Sequence, residues 1–307
     1  MSANMSTLQK RSNRIRRTRG EMVFSIIIII VLSLLTFLCV YPVWFFLINS
    51  FSAPTYVGRA MVIPKSFTIY NYTSIFQDKG IFRAFGVSVL RTVVGTATTL
   101  CCTSFVAYLF TQKHLPMKRV FYRFIVFTMY FNAGTIPWYL TMKSYGLQNN
   151  FLLYIVPSLL VPYFMILIKT YLESIPQAFI ESAEIDGAGV VTIFIRIILP
   201  VSVPILASVT VFAAIGQWNA WFDNFLLNTR PQYATMQYLL YQYLQKMMVN
   251  SLSSTSAASE GAALGMSSNP LSVRMTISMI TMIPIMLVYP FMQKYFIQGI
   301  MLGAVKG

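Results

Sequence analysis

From Glu21 to Ser50 the chain is largely apolar for about 29 residues. A hydrocarbon core of ~30 Å needs only about 20 residues of helix to cross it. A signal peptide has an apolar core of about 7–15 residues and a small-residue cleavage site, and this run has neither property. It is expected to be a retained first membrane span.

Five more runs of sufficient length follow, which makes six: 22–50, 85–110, 120–142, 151–172, 198–221 and 275–298. Pro42, Pro137, Pro157, Pro162 and Pro284 lie inside them. Membrane helices tolerate proline where neighbours satisfy the freed carbonyls, generally with a kink. The chain is 56% hydrophobic and 10% charged, whereas soluble domains carry about 25% charged residues. So few charges do not coat a water-soluble body of 307 residues. The expected class is an all-α polytopic membrane protein.

The formal net charge is +15, with 23 basic residues. On a soluble protein this would point to nucleic acid, but the distribution points elsewhere. Lys10, Arg11, Arg14, Arg16, Arg17 and Arg19 precede the first span, and most of the others sit in short connections. Basic residues near span ends set orientation. An inside N-terminus puts 14 of them in the cytosol and 8 outside, with Arg91 left within the second span. The expected topology is N-in and C-in, with residues 1–21 as a basic cytoplasmic tail and 22–307 as the membrane domain. No nucleic-acid partner is expected. Arg91 reads as a residue snorkelling to the outer interface.

Cys39, Cys101 and Cys102 lie in apolar stretches with no CxxC or Cys/His spacing, and His114 sits in a basic connection. Neither a metal site nor a disulfide framework is expected. The connection 222–274, with Ser251–Ser256 and Gly261–Asn269, is rich in small polar residues and reads as a flexible outer loop.

The fourth connection holds four of the eight acids: Glu173, Glu181, Glu184 and Asp186. Ser174 is placed to cap a short helix with Pro176 near its first turn. Gly187 is placed to end that helix in a left-handed conformation. Ala178, Ser182 and Ile185 then share a face, and a second short helix follows with Val190, Phe194 and Ile197 at helical spacing. Composition alone leaves two readings of this surface helix: one docked in a groove of another protein, one resting on lipid.

Here the residues carry a resemblance. Glu181, Ala183, Gly187, Ile197, Leu199 and Pro200 stand in the register of the "EAA" loop of binding-protein-dependent permeases, with Asp186 and Ala188 as in its carbohydrate members. Ser182 stands where that loop usually has Ala. The ending Gly299–Gly307, Asn71-Tyr72 and Gln217-Trp218-Asn219 also resemble carbohydrate permeases related to the maltose importer's second membrane subunit. The resemblance implies a bacterial plasma-membrane protein working with a second homologous permease, two ATPase subunits and an extracellular solute-binding protein. It implies that Glu181, Ala183, Asp186, Gly187 and Ala188 form a cytoplasmic coupling helix between the fourth and fifth spans. The chain has no Gly-x-x-x-x-Gly-Lys-Ser/Thr loop. Enzymatic activity is therefore not expected of it, and the cofactors, ATP and Mg²⁺, are expected on the ATPase partners.

Two clusters are candidates for a sugar path. Trp218, Asn219, Trp221 and Asp223 lie at the outer end of the fifth span; aromatic faces suit sugar C–H surfaces, and Asn and Asp suit hydroxyls. The alternatives are an interfacial aromatic belt for the tryptophans and a solvated loop acid for Asp223. Asn132, beside Gly134 and Thr135 in the third span, is costly at depth unless it faces a watery cavity or packs against another helix. A secondary transporter would be expected to show an ion-coupling acid pair or repeated discontinuous helices; the sequence displays neither.

Overall fold

A computed structural model describes residues 19–60, 62–112, 115–252 and 270–304. The basic residues Lys10 to Arg17, Lys113, His114, the stretch 253–269 and Lys306 lie outside the described residues. Among those described there is no strand, only an isolated bridge between Ser52 and Phe67.

Helix α1 (Arg19–Ser50) runs 32 residues through Pro42. After α2 (Tyr70–Gln77) comes α3 (Lys79–Leu109), 31 residues long. Asp78 caps it by accepting the Gly80 N–H at 2.7 Å, which moves its start outward from the expected residue 85. Then come α4 (Lys118–Thr128), α5 (Thr135–Ser144), two 3₁₀ turns (Phe151–Tyr154 and Val156–Ser158) and α6 (Pro162–Leu172). The short helices α7 (Ala178–Ile185) and α8 (Val190–Ile193) lead through a π-helical turn (Phe194–Ile198) and α9 (Leu199–Val201) into α10 (Val203–Asn219). Helices α11 (Phe222–Leu227), α12 (Met236–Leu252) and α13 (Pro270–Ala304) complete the described chain.

Four segments among the described residues are long and apolar enough to cross a membrane: Arg19–Ser50, Lys79–Leu109, Val203–Leu227 and Leu271–Pro290. The expected span 151–172 is a pair of helical segments bent by 46°. Its cause is local: Pro157 and Pro162 remove N–H donors. The carbonyl of Ser158, four residues before Pro162, accepts instead from Thr99 Oγ1 of α3 at 2.7 Å. The Thr103 hydroxyl likewise donates to the Leu159 carbonyl at 3.2 Å. Such bonds contribute about 0.6–2 kcal/mol each in lipid.

The expected span 120–142 is not one helix. It breaks between α4 and α5, where Asn132 Oδ1 accepts the Gly134 N–H at 2.9 Å and Gly134 has φ +87°. Pro137, near the start of α5, has no N–H to carry the ladder back across that break. The connection 222–274 differs from the expected flexible loop as well, since α11, all of α12 and the first residues of α13 lie within it.

The main core gathers where α3, α6 and the α7–α10 chain converge. Tyr108, Met165, Ile168, Ile193 and Val209 are each 1% exposed or less there. A second cluster joins Ile75, Ile81, Met236 and Ile277 at the opposite end of α3. Helix α1 packs along part of α13, yet none of its most apolar 18-residue stretch is buried.

Candidate functional site

Two regions lie at opposite ends of α10. At one end is α7, which closes as the sequence predicts. Gly187 has φ +78°, its N–H donates to the Glu184 carbonyl at 3.0 Å, and the Ala188 N–H donates to the Ala183 carbonyl at 2.9 Å. This pair of bonds is a Schellman end, which satisfies carbonyls the helix leaves open. The N-terminal end differs: Gln177 occupies the cap position without a side-chain bond, and the Ser174 hydroxyl donates back to Tyr171 instead.

Ala183 is 8% exposed and packs into the main core with Ile193 and Phe194, and Ala188 packs partly buried against the same cluster. The outer face holds Ala178, Phe179, Ser182 and Ile185, all exposed. Asp186, the C-terminal cap residue, is exposed too. Glu181 and Glu184 border a cleft of about 420 Å³ with Glu173 and Lys118. Helix α7 is thus anchored by small side chains on one face while presenting apolar and hydroxyl groups on the other.

At the far end of α10 the structure corrects the reading of Arg91. It does not snorkel; it is 3% exposed. Its Nη1 donates to Asp223 Oδ1 at 3.0 Å and to the Ala220 carbonyl at 3.2 Å. Nη2 meets Asp223 Oδ2, Nε donates to Gln217 Oε1 at 3.1 Å, and the guanidinium lies 4.3 Å from the Tyr154 ring centroid. A charge in this setting needs such complete pairing, because desolvation alone costs several kcal/mol. Asp223 is therefore not a solvated loop acid: its carboxylate also accepts the Asn224 N–H at 2.8 Å.

The other path candidates separate. Trp218 is 6% exposed; its indole N–H donates to the Thr281 carbonyl at 3.0 Å and its ring meets Phe85 edge-on. It joins α10 to α13 rather than forming an interfacial belt. Asn219 is exposed and accepts from Gln237 Nε2 at 3.0 Å. Trp221 stacks on Tyr241 at 4.3 Å between centroids. Asn132 is exposed at the α4–α5 break.

Sequence reasoning missed Gln217, Tyr154 and Ser158 as partners of this network, in which Gln217 Nε2 donates to Ser158 Oγ at 2.7 Å. A signal was present: a lone arginine inside one apolar span and a lone acid just beyond another.

No protein-family model matches the chain. It is 31% identical to Protein LplC of Bacillus subtilis over 94% of this chain and 97% of LplC. It is 32% identical to the polygalacturonan/rhamnogalacturonan transport system permease protein YtcP of the same organism, over 92% of this chain and 98% of YtcP. The chain belongs to the permease family of carbohydrate ABC importers. A solved structure agrees: a chain of a bacterial ABC transporter involved in the import of the acidic polysaccharide alginate matches with TM-score 0.83 at 29% identity. That match covers 91% of this permease and 99% of the solved chain. The permease is accordingly a membrane protein and a subunit of a larger ABC transporter. YtcP is named as a transport system permease protein.

Proposed function

We propose that the permease forms half of the path by which an ABC importer takes up a sugar or oligosaccharide. A second homologous permease forms the other half, two ATPase subunits hold ATP and Mg²⁺, and an extracellular binding protein delivers the substrate. The sugar assignment rests on relatives named for polygalacturonan/rhamnogalacturonan, arabinooligosaccharides and trehalose/maltose. The four continuous spans, the bent pair and the broken α4–α5 pair make six crossings in this reading. The N-terminus and the basic tail 1–21 lie in the cytosol, and α7 faces the ATPase.

The observation that carries the coupling role is the construction of α7, with Ala183 locked into the core that leads to α10 and Ile185 86% exposed on the other side. A helix held rigidly on one face and bare on the other passes a displacement from a docked partner into the spans. An ATP-independent transporter would use a pair of titratable acids, whereas Asp223 is already committed to Arg91.

The test is substrate-stimulated ATP hydrolysis by the reconstituted complex. Gly187→Val forces a β-branched residue into a left-handed position, costing about 1–2 kcal/mol, and displaces α7. Glu181→Lys reverses the charge at the cleft. Both are expected to abolish uptake and stimulation while the binding protein's affinity for sugar is unchanged. Parental stimulation and uptake in both variants would remove α7 as the coupling element.

A further inference from the structure

Beside the Arg91–Asp223 pair lies a cavity of about 320 Å³ that helix packing does not fill. Trp138 of α5, Phe212 of α10 and the Tyr154 ring form aromatic walls, while Asp223, Gln217, Ser158 and the paired Arg91 form the polar side. Its size is at the small end of the about 300–1,000 Å³ range of ligand pockets, which limits an occupant to a short piece of an oligosaccharide.

The two members of the ion pair are not equally open to it. Side-chain exposure is 4% for Arg91 and 16% for Asp223. The arginine spends its donors on Asp223, Ala220 and Gln217, and its face lies against Tyr154. The carboxylate accepts from both Arg91 nitrogens and from the Asn224 N–H, which leaves one of its roughly four acceptor positions. Both partners border the cavity, but the acceptor is the more open of the two and is held in a fixed position, while the cation's donors are already used. An acceptor set among aromatic faces suits a group that donates hydroxyls and covers rings with C–H surface; a second carboxylate would be repelled.

One wall is bare. Gly216 borders the cavity, and a Cβ built there meets nothing within 4 Å, so a side chain at 216 starts from open space.

We propose that this cavity is a subsite for an uncharged sugar ring, with Asp223 accepting its hydroxyls, Trp138 and Phe212 against its faces, and Arg91 holding the carboxylate in place. This rests on the proposed sugar-import function. It narrows that function, since two of the matched proteins are named for acidic polysaccharides and this subsite selects a neutral residue.

The test uses the complete transporter with its binding protein in lipid nanodiscs. The probes are maltotriose, raffinose, arabinotriose and diacetylchitobiose, with trigalacturonate as the anionic arm, and the readout is stimulated ATP hydrolysis. A neutral probe is expected to stimulate the parent. The series Gly216→Ala, Gly216→Leu, Gly216→Phe is expected to lose stimulation in order of size, at least tenfold for Phe, at equal amounts of assembled complex. Trp138→Ala and Arg91→Lys are expected to raise the half-stimulating concentration without lowering maximal stimulation. Parental behaviour of Gly216→Phe overturns the subsite, as does a parent stimulated by trigalacturonate and by none of the neutral probes. Gly187→Val separates the two ideas. If it abolishes stimulation while Gly216→Phe does not, the subsite alone fails. If it keeps stimulation while Gly216→Phe loses it, the coupling role fails and the subsite stands. Silence of the parent toward all five probes overturns the sugar reading and the subsite with it.

Discussion

Arg91 and Asp223 are 132 positions apart, and each is unstable at its depth without the other. Removing one partner of a buried pair leaves an uncompensated charge and costs about 3–5 kcal/mol, whereas replacing both with apolar groups is often neutral. Arg91→Leu alone is therefore expected to lower the thermal midpoint and membrane abundance of the permease sharply. Arg91→Leu with Asp223→Leu should recover most of the loss, as read by thermal unfolding in nanodiscs. Two single variants as stable as the parent would show that the pair carries no structural energy. Both residues are visible in the sequence, one as an odd charge in a span and one as an acid after a span. Their pairing is not, because nothing local to either residue encodes which helix lies opposite. Gly187 is the contrary case: its left-handed turn needs only the residues around it, and the sequence shows it directly.

At the scale of helices, α3 and α10 form a central pair whose spacing depends on Gly95. A Cβ there would lie 2.7 Å from Gln217 Cδ and Nε2. Gln217 has little freedom to yield, being bonded to both Arg91 and Ser158. Gly95→Ala is expected to force the helices apart at a cost of about 1–3 kcal/mol. A drop in the thermal midpoint checks it, and an unchanged midpoint would mean the contact is slack. The long α1 and α3 are legible because their length and predominantly apolar composition specify them. The break between α4 and α5 is not, since Phe127 to Trp138 remains apolar enough to read as one run while Asn132, Gly134 and Pro137 act on the backbone. Helix α12 was hidden for the opposite reason: its polar residues suit a loop, and only packing of its first turns against Ile277 and Ile280 reveals it as an element.

For the molecule as a whole, orientation is the property to fix by experiment. In a cysteine-free background, Gln232→Cys near α11 is expected to react with a membrane-impermeant maleimide in intact cells. Thr192→Cys in α8 should react only after permeabilisation. Labelling of the second in intact cells would reverse the topology. The two ends so assigned are joined by a single length of chain, and the π-helical turn at Phe194–Ile198 interrupts it. An α-helix advances about 100° per residue, and a π turn accommodates one residue more than an α turn would. That extra residue sets the phase of α10 against α7. With one residue fewer, Gln217 would swing away from Arg91 and Gly216 from the cavity, although every helix kept its length. The turn thus works as a key cut to one angle, making the two ends of the permease compatible with a single register of the chain between them.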